Sequence, residues 1–157
     1  MKLFDFGHKK PFEPRLELAT EQFAGEGTVL VADVNRLDEI SASLDPKAFV
    51  QRLNDHLSSQ IPLIQAFSGQ VMDYAGGCIV AYWVSKYSQG EHVSRALSAA
   101  RKMLLNADKS IHYRILLSSG QVIIDTFGPS KQFQLLGEAI DIANQGANLC
   151  SLEMFIR

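Results

Sequence analysis

Apolar positions run almost unbroken from Val29 to Val34, Val-Leu-Val-Ala-Asp-Val, with a single acid, Asp33, near the end. A run of this kind predicts a strand buried on both faces, as at the centre of a sheet, over residues 28–34. The period then changes. Leu37, Ile40 and Leu44 recur at helical spacing and predict a short helix over 35–44. Asp45-Pro46 is a helix start, an acceptor at the N-cap followed by a proline at the first helical position. Val50, Leu53, Leu57, Ile61 and Ile64 mark one face of a long helix running to about residue 67. Pro62 is expected to kink or shorten it, and Gly69 to close it.

Residues 70–74 and 78–84 read as a hairpin around Ala75-Gly76-Gly77. Residues 85–90 read as a polar loop. A second helix is expected over 91–106, with Val93, Ala96, Leu97, Ala100 and Leu104 toward the core. Residues 112–118 and 121–127 predict a further strand pair around Ser119-Gly120. A short strand over 133–136, a last helix over 138–149 and a stub of strand over 151–157 complete the pattern. Strand, long helix, hairpin, helix, hairpin, short strand, helix is the order of an α/β sandwich, with helices packed on one face of a mostly antiparallel sheet. A ferredoxin-like core can be cut from it. Residues 1–26 read as an N-terminal arm broken by Pro11 and Pro14, with the makings of a short helix over 16–23. Residues 27–157 read as the domain.

Composition narrows the function classes. A chain of 157 residues is expected to fold as one domain with a real core. A formal net charge of −2 gives no basic footprint for nucleic acid or an anionic membrane surface. No run approaches the roughly 20 apolar residues of a membrane span. The opening Met-Lys-Leu-Phe-Asp-Phe lacks the apolar core of a signal peptide. Cys78 and Cys150 have no CxxC partner and read as packed thiols of an intracellular protein. The expectation is a cytoplasmic domain with no membrane insertion.

Against this background a set of ordered motifs resembles class III nucleotidyl cyclases. Val29-Leu-Val-Ala-Asp-Val-Asn-Arg-Leu-Asp-Glu-Ile-Ser41 is similar to the family's first motif, an apolar strand, an aspartate, an aliphatic residue and a turn. Leu53-Asn54 falls where the family often has a leucine-asparagine pair. Residues 69–83 resemble the second motif, and 114–120 and 133–143 the two later ones. The likeness covers residues 28–149 in order. It implies a ferredoxin-like α/β fold, a head-to-tail dimer and sites built at the dimer interface.

The resemblance also implies where this chain departs. The family holds two divalent ions on two aspartates, because hard cations need oxygen ligands and paired ions clamp the attacking and leaving oxygens. Asp33 stands at the first aspartate position and Gly77 at the second, so Asp33 is the single remaining metal ligand. The base-reading positions hold Asp73 and Gln134. Adenylate cyclases have a lysine where Asp73 stands, and guanylate cyclases a glutamate, so Asp73 keeps the charge that reads guanine. The positions of the family's transition-state asparagine and arginine hold Asp141 and Gln145. Losing one preorganised donor of that kind costs about 2.7–4 kcal/mol in comparable sites. The family's phosphate-binding lysine lies in a further strand pair that has no counterpart here, so the domain reads as C-terminally short.

Each of these residues has a plainer reading. Asp33 can be a strand-end acid capping the next helix, Asp73 a solvent-facing hairpin residue, and Asp141 and Gln145 a solvated helix face. His8, His56, His92 and His112 share no ligand spacing for zinc. His56 reads as the edge of a helix face, Ser118 and Ser119 as turn residues, Cys78 as packing, and Tyr82 and Trp83 as core or dimer surface. The expectation is therefore a catalytically degenerate cyclase-homology domain, a pseudoenzyme of signal transduction. It would act through homodimer or heterodimer formation, partner binding, or sensing ATP or GTP. No catalytic residue and no resident cofactor is expected, with Mg2+ or Mn2+ entering only alongside residual nucleotide binding. The alternatives are an adenylate or guanylate cyclase active only with a complementing partner chain, and an unrelated ferredoxin-like ligand- or protein-binding module.

Overall fold

A computed structural model of the chain describes residues 22–35, 37–74, 77–88, 90–129 and 131–145. The elements are β1 (Phe23–Asn35), α1 (Leu37–Ser43), α2 (Pro46–Ala66), β2 (Gln70–Asp73), β3 (Cys78–Val84), α3 (Ser85–Ser88), α4 (His92–Asn106), β4 (His112–Phe127) and β5 (Gln132–Leu136). A last helical stretch, α5, covers 138–145. The sheet order is β2-β3-β1-β4-β5, and every neighbouring pair is antiparallel. The apolar run at 29–34 is central, as its two-sided burial requires: Val29, Leu30, Val31, Ala32 and Val34 are all buried.

Alternation along β1 sends neighbouring residues to opposite faces. Leu30 and Ala32 join a cluster with Ile61 and Ile64 of α2 and Ala96, Ala99 and Met103 of α4. Val29 and Val31 join a second cluster with Tyr82, Val122 and Ile124, and with Ala139, Ile140 and Ala143 of α5. The two long helices thus share one face, and α5 lies with the other. Tyr82 and Trp83 are both core, on opposite sides of the sheet.

Helix α2 starts as its sequence dictates. The Asp45 carboxylate accepts from the Ala48 amide at 2.9 Å, with Pro46 in the first turn. Pro62 does not end it, and the helix reaches Ala66. Its C-terminus departs from expectation. The Ser68 and Gly69 amides bond back to the Gln65 and Ile64 carbonyls at 3.0 Å each, and Ser68, not Gly69, takes the left-handed φ of 65°.

Four further expectations are corrected. The strand pair expected around Ser119-Gly120 is one strand, β4, of 16 residues. It runs unbroken through that point because β1 accompanies it, with Thr28 opposite Ser119 and Gly27 opposite Gly120. The loop over 85–90 contains the short helix α3. Phe23 opens β1 instead of closing a helix, so the sheet takes in residues assigned to the arm. Finally, α4 is turned about its axis. Ala96, Ala99, Ala100 and Met103 face the sheet, while Val93, Leu97 and Leu104 are 50%, 51% and 52% exposed. Small alanines let the helix backbone approach the sheet, and that close packing outweighs the larger side chains. The expected arm over 1–21 and the stub over 151–157 lie outside the described residues.

Candidate functional site

The face of the sheet that carries Val29 and Val31 also carries Asp33. Strand register sets Asp33 opposite Cys78 on β3 and opposite Arg114 on β4. Arg114 Nη2 donates to Asp33 Oδ2 at 3.2 Å, with the side chains 20% and 29% exposed. A half-buried guanidinium–carboxylate contact of this kind is charge-assisted and stronger than an exposed one. Beside it, Gly77 is buried and holds φ at 79°. That left-handed conformation suits glycine and costs other residues about 1–2 kcal/mol.

The Cys78 thiol is pushed up, first by burial and then by the negative charges of Asp33 and Asp73. It stays protonated at neutral pH and is no nucleophile. The same effect registers that both acids flank the start of β3.

A pair of divalent ions requires several oxygen ligands each. Asp33 is engaged by a guanidinium, Gly77 has no side-chain oxygen, and among the described residues no group of three or more His, Cys, Asp or Glu converges. Of the two positions that the resemblance gives to metal ligands, one offers a carboxylate, and Arg114 already holds it.

A cleft of about 610 Å³ lies next along the same face. Met72, Asp73 and Val80 come from the β2–β3 hairpin, and Lys131, Phe133, Gln134 and Leu135 from the turn before β5 and from β5 itself. These belong to opposite ends of the strand order, so the sheet curls to bring them together. Asp73 and Gln134, more than 60 residues apart in the chain, therefore share one cavity. The apolar floor and the few polar groups are what a small-molecule cleft needs. Asp141 and Gln145 do not line it. Both are exposed on α5.

Two polar clusters were not legible in the sequence. Thr28, 1% exposed, places its hydroxyl 2.8 Å from His92 Nδ1 and 2.7 Å from Ser119 Oγ. A histidine thus reaches Ser119 through Thr28, although none is near it in sequence. His56, expected at a face edge, is instead buried at 3% exposure and meets the Tyr113 ring edge-on at 4.6 Å between centroids. Burial holds its imidazole below the ordinary histidine value, with the Asp108 carboxylate pulling weakly the other way. Burial also pushes the Tyr113 hydroxyl well up, so it stays protonated. Among the described residues no helix is long and apolar enough to cross a membrane.

No protein-family model matches the sequence, and no curated protein matches it either. Solved structures do. The adenylyl cyclase CyaB from P. aeruginosa superposes with a TM-score of 0.65 at 18% identity, over 79% of this chain and 71% of that one. The non-canonical dimeric guanylyl cyclase domain of the RhoGC fusion protein from the aquatic fungus Blastocladiella emersonii gives 0.67 at 19% identity, over 80% and 76%. The guanylate cyclase domain of RhGC from Catenaria anguillulae, in complex with GTP, gives 0.69 at 18% identity, over 79% and 72%. Identities this low speak for the backbone and not for the chemistry. In sheet order, helix placement and superposition, this chain has the fold of class III nucleotidyl cyclase catalytic domains.

Proposed function

We propose that this cyclase-like domain works by binding and not by turnover: it pairs with a second domain, its own copy or a signalling partner's, and holds a purine nucleotide without cyclising it. One observation carries the reading. The acid at the first metal position is paired with Arg114, and Gly77, the residue before its strand partner Cys78, brings no side-chain oxygen to the hairpin tip. With the paired ions removed, the chain has no means to activate a hydroxyl and neutralise a leaving phosphate together. The cleft bearing Asp73 and Gln134 remains open. Support for a nucleotide comes from the similar domain in complex with GTP, and support for pairing from the similar domain that is dimeric.

The test is a thermal-shift titration with ATP and GTP, each with manganese and with chelator. A ligand that binds only the folded state raises the midpoint by mass action. The expected result is a shift with nucleotide and no cyclic product in the same tube. Cyclic AMP or cyclic GMP made by the purified chain would overturn it. Sedimentation equilibrium of the same sample reads self-association.

A further inference from the structure

A second cavity, also of about 610 Å³, opens on the side of the sheet that carries α2 and α4, opposite the cleft of Asp73 and Gln134. Helix α2 makes most of its wall, and Asn106 and Asp108 close it from the end of α4. Arg52, His56 and Ser59 follow one another at helical spacing, so they share the face of α2 that borders it. His56 is 3% exposed, and on its inner side its ring meets Tyr113 of β4. The imidazole therefore stands between the cavity and the sheet. Among the described residues neither of its ring nitrogens has a hydrogen-bond partner. Buried polar groups in that state are few in folded proteins, and they mark places where a further partner belongs.

The other polar groups of the cavity direct their donors into the protein. Gln51 Nε2 donates to Asp55 Oδ1 at 2.8 Å, Asn106 Nδ2 to the Lys102 carbonyl at 2.9 Å, and Ser59 Oγ to the His56 carbonyl at 2.7 Å. Arg52 Nη2 donates to Ser110 Oγ at 2.7 Å and to Asp108 Oδ2 at 3.4 Å. Acceptors are left over. Among the described residues the second Asp55 oxygen, Gln51 Oε1 and Asn106 Oδ1 take part in no hydrogen bond. Burial holds the His56 imidazole below the ordinary histidine value, so at neutral pH one ring nitrogen accepts as well. Charge points the same way, because two carboxylates, Asp55 and Asp108, face one guanidinium. A carboxylate ligand would meet this wall with the wrong sign and with no donors. A primary ammonium carries three donors, no acceptor and a positive charge, and it complements the wall on every count.

We propose that this cavity is a binding site for a small organic cation, a primary amine whose ammonium donates to Asp55 and to the His56 ring while its hydrocarbon lies on Leu44 and Ala48. The volume is that of a small-molecule site. It is separated from the nucleotide cleft by the sheet, so it stands or falls independently of what that cleft holds.

The experiment titrates the full chain with three four-carbon probes of different charge, putrescine, butanediol and succinate. It is run at neutral pH and low salt, where exposed charges are least screened. The ring nitrogen resonances of His56, followed by NMR, distinguish this cavity from loose attraction of a cation to the acidic surface. The expected result is a saturable shift of those resonances with putrescine alone. Asp55→Asn should weaken putrescine about tenfold, the size of one charge-assisted hydrogen bond. Asp55 is exposed and Asn keeps an acceptor for Gln51, so this variant leaves the fold and the His56 readout in place. Equal shifts with butanediol, or larger ones with succinate, overturn the ligand class. Putrescine affinity unchanged in Asp55→Asn overturns the assignment of the ammonium. Ring resonances that stay fixed through the putrescine titration overturn the site.

Discussion

The indole of Trp83 fills the space that a β-carbon on Gly69 would occupy. An ideal Cβ there would stand 2.5 Å from Trp83 Cζ2 and 2.6 Å from Ile64 Cγ2. The same indole donates to the Phe67 carbonyl at 3.0 Å, so the ring fixes the exit of α2 from two sides. Gly69 is thus required for close approach, while the left-handed turn is made by Ser68. Gly69→Ala is expected to lower stability by about 1–3 kcal/mol, the usual cost of overpacking a filled core. A urea midpoint equal to that of the parent chain would refute this account of the contact.

Thr28 predicts a second loss. Its buried hydroxyl serves both half-buried His92 and exposed Ser119, so Thr28→Val keeps the shape and removes two hydrogen bonds. The expected cost is about 0.5–1.5 kcal/mol, because the partners left behind can turn to water. Ser119→Ala in the Thr28→Val background should cost less than it does alone, because the shared bond is already gone. Additive denaturation energies in the double mutant would speak against a connected network.

His56 makes stability depend on pH. Its folded value is lowered by burial, so the unfolded chain takes up the proton first as pH falls. The contribution is complete above the ordinary histidine value, about 6.5, and is lost as pH drops from there toward the lowered folded value. Asp108 opposes the shift and limits its size. Thermal midpoints of the parent chain should fall below about pH 6.5 more steeply than those of His56→Gln. Parallel curves for the two proteins would show that the imidazole is not the titrating group.

The Asp33–Arg114 pair predicts a response to metal. With the carboxylate engaged, manganese alone is expected to leave the midpoint unchanged, and chelator likewise. Asp33→Asn should cost about 1–3 kcal/mol, as one charge of a half-buried pair is removed. A manganese-dependent rise in the midpoint of the parent chain that disappears in Asp33→Asn would establish a metal site in its place.

Much of this architecture was open to reading in the sequence, and the exceptions have physical causes. The run at 29–34 is apolar on both faces, so its central position follows directly. Asp45-Pro46 starts a helix by local chemistry alone. The phase of α4 could not be read, because its leucines and alanines are all apolar and only the distance to the sheet decides between them. Ser119-Gly120 has the composition of a turn, yet β1 supplies partners for both residues. The site divides in the same way. Asp73 and Gln134 were placed by motif, and the structure brings them into one cleft. Arg114 and Lys131 depend on strand register and on the curl of the sheet, which join residues far apart in the chain and leave no local mark.

Every residue of β1, from Phe23 to Asn35, has a partner on β4. The two strands are separated by the whole helical layer in sequence, with Val29 meeting Ser118. Closure of so long a loop is entropically slow, and folding rates fall as such distant pairings dominate. On the ribosome one edge of β1 must wait unpaired, beyond the arrival of its other neighbour β3, until β4 emerges. Nascent copies of this protein are thus candidates for chaperone capture at 29–34, and the vulnerable interval ends only when β4 arrives.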